Sequence, residues 1–396
     1  MRNNLFVSMF VLLIAVLLLS ACGPASTPET IIQTQVVNQV VTATPDMSLP
    51  TPLPAGSVQI TGSGATFPLP LYSQWTYAYQ FVDPSVVINY SGVGSGAGKT
   101  AIINNTVDFA GSDSLLSDKN YTDGIDLQMY PMVAGAVVSV YNIAFKPVPT
   151  PAAGATAITL PKLILDRQTL VDIYNGKVTK WNDPKIMALN PGLVDYLPDA
   201  AITTVHRSDG SGTTEIFTKA LTSFSPDWTA GGASSVEWPN GLGGKGNAGV
   251  AAQVIANANS IGYVELSYAL SNGMSVAQLV NIAGKTVTAN GASVEAAMAD
   301  PAFTFTDKLT ATIVDSGTDG AWPITGYTYI ILHTTSMSDC VKAQKLLQFL
   351  QWAQTDSGAQ NGATSLGYSV LPASVRTIVL AKLAEVTCNG QPVLNP

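Results

Sequence analysis

Three times along the chain an apolar, β-branched stretch runs into glycines and small hydroxyl residues and then into a helical pattern. These are VQITGSGATF at 58–67, VVINYSGVGSG at 86–96 and ITTVHRSDGSGT at 202–213. A strand that ends in a glycine turn and feeds a helix is the unit of a parallel α/β sheet. It also leaves the first N–H groups of the helix unpaired at the edge where the strands end. VDFAGSDSLLS, TLVDIYNGKVTKW, NAGVAAQVIANA and SIGYVEL extend the alternation, and no solenoid-type repeat occurs. The expected fold is α/β, with any ligand held where strands give way to helices.

The second stretch continues as SGVGSGAGKT and imitates a nucleotide-binding P-loop. The match fails by one residue, because the position of the obligatory first glycine is Val93. What survives is a set of backbone N–H groups before an apolar helix, suited to an anion.

Each cluster alone reads as a glycine turn with an N-cap. Thr66, beside Phe67 and Pro68, offers a hydroxyl and an N–H at a helix start, and Tyr72, Trp75 and Tyr79 share the buried face of that helix. Ser95 occupies the same place in the second cluster. The third adds Arg207, four residues before Ser211, with Asp209, Gly212 and Thr213 close by. Arginine is a permanent cation whose planar fork fits an oxyanion, and Asp209 is placed to orient it. Three clusters of one chemical kind outline a site for a tetrahedral oxyanion. Asp113 reads locally as a loop or capping aspartate. Facing an anion it would repel it, unless the anion carries a proton to donate, and it would then act as a selectivity filter.

The chain begins MRNN, runs apolar from Leu5 to Leu19 and reaches LSAC at 19–22. This is expected to be a secretory leader over 1–21, with Cys22 as the lipidated first residue of the mature chain. The Pro- and Thr-rich segment 22–56 is expected to be a tether. Of the other cysteines, Cys340 and Cys388 read as one disulfide, as suits an exported protein. No C-x-x-C or H-E-x-x-H occurs, so neither a metal site nor a cofactor is expected. Only 11% of the chain is charged and the formal net charge is −8, one unit more negative once Arg2 leaves with the leader. Such a balance disfavours nucleic acid and anionic lipid surfaces, so an anion must be attracted locally.

The stretches GSGATFPLPLYSQW, GVGSGAGKTAIINNTVDFAGSD, LVDIYNGKVTKWNDPKI, HRSDGSGTTEIFT, EWPNGLGGKGNAGVAA, SIGYVE and AWPIT together resemble the phosphate-binding proteins of bacterial ABC phosphate importers. The resemblance implies a two-lobed periplasmic-binding-protein fold, with lobe I over 57–141 and 323–396 and lobe II over 142–322. Phosphate would sit in the cleft, with arsenate as a look-alike. Thr66, Phe67, Ser95, Ser211, Gly212 and Thr213 would donate to it, Asp113 would accept its proton, and Arg207, tied to Asp209, would pair with its charge. One departure from the family pattern is Gly96-Ala97-Gly98, where a second serine often follows Ser95. The implied partners are phosphate, permease subunits and, through the lipid, a membrane, with the protein itself a monomer outside the cytoplasm. Two other uses of the same cradle are a scavenger or sensor without a permease and an extracytoplasmic phosphohydrolase. The second lacks a visible nucleophile–base pair, and GLGGKGNAG is expected to be a turn with a structural duty.

Overall fold

The computed structural model describes residues 57–149 and 159–394. The leader, the lipidation site Cys22 and the tether lie outside the described residues. The first strands are β1 (Val58–Gly64), β2 (Val86–Gly92) and β3 (Phe109–Ser112), which pair in parallel with β1 in the middle. β4 (Leu127–Asn142) follows, and then a short strand, β5 (Ile164–Asp166). The second parallel group is β6 (Thr203–Arg207), β7 (Leu242–Gly244) and β8 (Ser260–Glu265), with β6 in the middle. β9 (Ser275–Val276), β10 (Gln278–Val280), β11 (Thr286–Val287) and β12 (Thr325–His333) complete the strands that matter here. The main path runs β2-β1-β3-β12-β4-β8-β6-β7.

Both parallel groups agree with the α/β expectation. The two strands between them do not, since β12 runs antiparallel to β3 and β4, and β4 antiparallel to β8. The apolar run MVAGAVVSVYNIAF at 132–145 falls mostly within β4, which is buried along nearly its whole length, its side chains covered on both faces. β4 also changes partner midway. Leu127 to Ala136 pair with β12, whereas Val137 to Asn142 pair with β8. A second tie lies beside that switch, where the Val137 N–H donates to the Ile324 carbonyl and the Trp322 indole N–H donates to the Val137 carbonyl. The ladder with β12 slips between Thr328 and Tyr329, opposite Pro131, which has no N–H to contribute.

Helices pack these strands where the turns deliver them. Helix α1 (Leu69–Tyr79) follows β1 and buries Tyr72, Trp75 and Tyr79 as its spacing requires. Helix α2 (Ser95–Ile103) follows β2. In the second group, the Gly212–Phe224 helix follows β6, and the Gly246–Ala256 helix follows β7. Cys340 and Cys388 are joined by a disulfide that ties the start of the Cys340–Thr355 helix to the C-terminal segment.

Candidate functional site

The helix starts after β1, β2, β6 and β7 meet in one buried cluster. After β6, Arg207 turns inward with its side chain 1% exposed. Asp209 grips it side-on, Nε donating to Oδ1 at 2.7 Å and Nη2 to Oδ2 at 2.5 Å. Nη1 donates to Thr213 Oγ1 at 3.3 Å. Three of the five guanidinium N–H groups are thereby engaged, leaving one on each terminal nitrogen for an oxyanion. Burial alone would raise the Asp209 pKa, but the guanidinium and the Gly246 N–H outweigh it and hold the carboxyl below its usual range.

Ser211 is the N-cap of its helix and accepts the Thr214 N–H at 3.1 Å, which leaves its own proton to be donated. Gly212, next in line, donates its N–H to Ser95 Oγ at 3.1 Å, bridging the starts of two helices. Ser95 Oγ also accepts the Asp113 N–H at 3.3 Å and lies 3.4 Å from Asp113 Oδ2. Asp113 is itself buried, and its Oδ1 has no hydrogen-bond partner among the described residues. Burial pushes its carboxyl up to about 7, and neither the nearby Thr328 hydroxyl, nor Arg207, nor the Ser95 hydroxyl reverses the shift. A buried acid with an unpartnered oxygen is poised either to accept a proton or to hold one.

The first turn contributes differently. The Phe67 ring is fully buried and packs against Tyr368, and carries no polar atom, so only its backbone can hydrogen-bond an anion. The Tyr268 hydroxyl donates to the Thr66 carbonyl at 2.6 Å and the Tyr368 hydroxyl to the Phe67 carbonyl at 2.7 Å. A trans peptide points its N–H opposite its C=O, so Tyr268 turns the Phe67 N–H away from itself. The Thr66 hydroxyl oxygen accepts both the N–H and the side-chain amide of Asn247, at 3.1 and 2.9 Å.

All nine residues singled out for an anion site, Thr66, Phe67, Ser95, Asp113, Arg207, Asp209, Ser211, Gly212 and Thr213, therefore lie in or directly against one cluster. The lysine of the P-loop look-alike does not join them, since Lys99 Nζ donates to the Leu115 carbonyl. Asn247, Glu265, Tyr268 and Tyr368 escaped the sequence reading. Asn247 lies inside GLGGKGNAG, a segment that could line the cleft but was expected rather to be a turn with a structural duty. Its local signal is a polar residue in the first turn of a helix that follows a glycine run. Glu265 is the one acid closing the otherwise uncharged strand SIGYVE, and burial raises its carboxyl to about 8.

Comparison with known proteins bears on what such a cluster serves. Residues 49–357 match the model of the PBP superfamily domain. The phosphate-binding protein PstS of Xylella fastidiosa is 39% identical over 318 residues, covering 80% of this chain and 82% of the relative. The chain belongs to the PstS phosphate-binding protein family. A second PstS, from Pasteurella multocida, is also 39% identical, over 80% of this chain and 87% of its own. The fold of this chain is similar to that of a solved high-affinity periplasmic phosphate-binding protein bound with phosphate. That structure has a TM-score of 0.65 and 23% identity, over 82% of this chain and 93% of that one.

Proposed function

We propose that this protein binds inorganic phosphate between two lobes outside the cytoplasm and delivers it to an ABC phosphate importer, performing no reaction on it. The observation that carries this reading is the pairing, in one buried cluster, of a partly free guanidinium and donor hydroxyls with an acid that has an unpartnered oxygen. The first set suits any tetrahedral oxyanion. The acid suits one that bears a proton, as hydrogen phosphate does and sulfate does not. Arsenate shares both shape and proton and would be accepted.

Lobe I in this reading is 57–141 with 323–396, and lobe II is 142–322. The partner switch between Ala136 and Val137, a little before the first of these boundaries, and the Ile324 tie beside it support a reading with two adjacent crossings about which the lobes would close. Closure excludes water and strengthens each charge-assisted bond to the ion. Cys22 would carry the lipid that keeps the monomer at the membrane near its permease.

Calorimetric titration of protein stripped of bound ion, with phosphate and then sulfate at equal ionic strength, tests the ligand. Tight one-to-one phosphate binding with negligible sulfate response is expected, and equal binding of the two, or none, overturns it. Co-purification of permease subunits tests delivery, and the mass of the mature N-terminus tests the lipid.

A further inference from the structure

Asn247 sits at the second position of the Gly246–Ala256 helix, with no exposed surface, and every polar atom of its side chain is engaged. Its Nδ2 donates to Thr66 Oγ1 at 2.9 Å and to Thr213 Oγ1 at 3.2 Å, and its Oδ1 accepts the Glu265 N–H at 2.9 Å. The last contact decides which way round the amide lies. Flipped, it would set its NH₂ against the Glu265 N–H, donor against donor, in a buried place where neither could turn to water. The Glu265 backbone is itself held, because its carboxyl Oε2 accepts from the Ser267 N–H and the Ser267 hydroxyl and lies 2.9 Å from the Tyr368 hydroxyl oxygen.

A hydroxyl has two lone pairs and one proton. Thr66 Oγ1 receives two N–H donors, both from Asn247, and Thr213 Oγ1 also receives two, from Asn247 and from Arg207 Nη1. With their lone pairs filled, these hydroxyls can satisfy their remaining valence only by donating. Resting on the phosphate reading, we infer that Asn247 is a positioning residue that fixes Thr66 and Thr213 as obligate hydrogen-bond donors, so that the cleft presents protons to an oxyanion. Asn247 acts on anion binding through the two hydroxyls, its own side-chain polar atoms being already engaged. It fixes the polarity of two groups, one delivered by the turn after β1 and the other by the turn after β6.

A double-mutant cycle on the full chain tests this, with phosphate affinity read by calorimetry and the melting temperature of the ion-free protein read alongside. Asn247→Ala frees one lone pair on each hydroxyl, so that neither is any longer held as a donor, and is expected to weaken phosphate binding at least about 10-fold. In a Thr66→Val, Thr213→Val background, where no hydroxyl remains to be oriented, the same change is expected to cost less than about 2-fold. Asn247→Asp places an acceptor against the hydroxyls, draws their protons away from the ion, and is expected to cost at least about 100-fold. A carboxylate in the first turn of a helix favours folding, so the cycle is run with the Asp variant should the Ala variant fail to fold. Equal losses in the two backgrounds, or unchanged affinity in Asn247→Ala, while the wild type binds phosphate, overturn the inference alone. A wild type that takes up no phosphate overturns the reading beneath it, and the inference falls with it.

Discussion

Asp209 meets Arg207 along the side of its guanidinium, with contacts at 2.7 and 2.5 Å, and with Thr213 taking one N–H of Nη1 a single N–H is left on each terminal nitrogen. The carboxylate thus orients the cation while occupying the N–H groups that do not face Thr213. Partial cancellation of charge is the cost of that orientation. A buried arginine without it would have to be solvated or misplaced when the cleft is open.

Arg207→Ala is therefore expected to weaken phosphate binding by about 1.5–3 kcal/mol or more, since a charge-assisted bond to a buried ion is lost. Arg207→Lys should recover little of it, because a point charge supplies neither the side-on grip of Asp209 nor a second N–H to the ion. Calorimetry on the two variants checks both statements, and an Ala variant with native affinity removes Arg207 from the site.

On the phosphate reading, Asp113 would tie selectivity to pH. With its carboxyl raised to about 7 by burial, it is a proton donor below that pH and an acceptor above it. Sulfate, which offers only acceptors, is expected to bind increasingly as pH falls through about 7, while phosphate binding persists because phosphate matches either state. Asp113→Asn should bind sulfate with little dependence on pH. Sulfate titrations at pH 5.5 and 8.5 decide it: equally weak binding to the wild type at both places the filter elsewhere.

Gly212 lies against the backbone of Asp113. A Cβ built on it falls 2.4 Å from Asp113 Cβ and 2.6 Å from the Asp113 carbonyl carbon, so no side-chain rotation relieves the clash. Gly212→Ala is expected to hold the two turns apart and lower phosphate affinity about 100-fold or more, with the melting temperature of the ion-free protein little changed. Gly94→Ala combines a comparable clash, 2.4 Å from Asp209 Oδ2, with a φ of +103° that only glycine adopts readily. Affinity retained in Gly212→Ala would show that the two turns need not close to this distance.

What the sequence made legible in this molecule was whatever is local. A glycine turn with a hydroxyl at a helix start carries its own chemistry, so Thr66, Ser95 and the Arg207–Thr213 run stood out one by one. The helical spacing of Tyr72, Trp75 and Tyr79 likewise announced a buried face. Asn247 did not stand out, because its meaning lies in a threonine 181 residues away. Glu265 reaches Tyr368 across 103 residues in the same way. Strand direction was hidden for a related reason. Apolar periodicity is the same for parallel and antiparallel pairing, and β4 and β12 are set by where the chain returns.

The disulfide Cys340–Cys388 closes a span of 48 residues far along the chain from the anion-site residues. Restricting a loop of that length in the unfolded chain stabilises by about 4 kcal/mol on the chain-entropy account. A Cys340→Ser, Cys388→Ser variant is expected to lose about 2–4 kcal/mol in denaturant unfolding with unchanged phosphate affinity. A matching drop in affinity would couple the C-terminal segment to the cleft.

Asp126 gives the fold an acid-sensitive joint. It accepts the backbone N–H groups of Thr334, Thr335 and Ser336, while His333 Nδ1 lies 2.5 Å from its Oδ1. The other ring nitrogen of His333 lies 3.0 Å from the carbonyl of Ile102, near the end of α2. Burial acts to raise the Asp126 pKa, but His333 and the surrounding N–H groups outweigh it and hold the carboxyl well below its usual range. A depressed folded pKa means the unfolded chain takes up the proton first as pH falls. The contribution is therefore whole above about pH 4, the ordinary aspartate range, and declines below it. Asp126→Asn is expected to cost about 1.5–3 kcal/mol at pH 7, the difference from wild type shrinking as pH drops below about 4. Denaturant unfolding at pH 7 and pH 3 reads this directly, and a gap that stays constant between them would mean that charge on Asp126 plays no part. Because the joint anchors the far end of the helix that begins at Ser95, phosphate affinity measured in Asp126→Asn at pH 7 also reports whether α2 must be held at both ends to keep its first turn in the cleft.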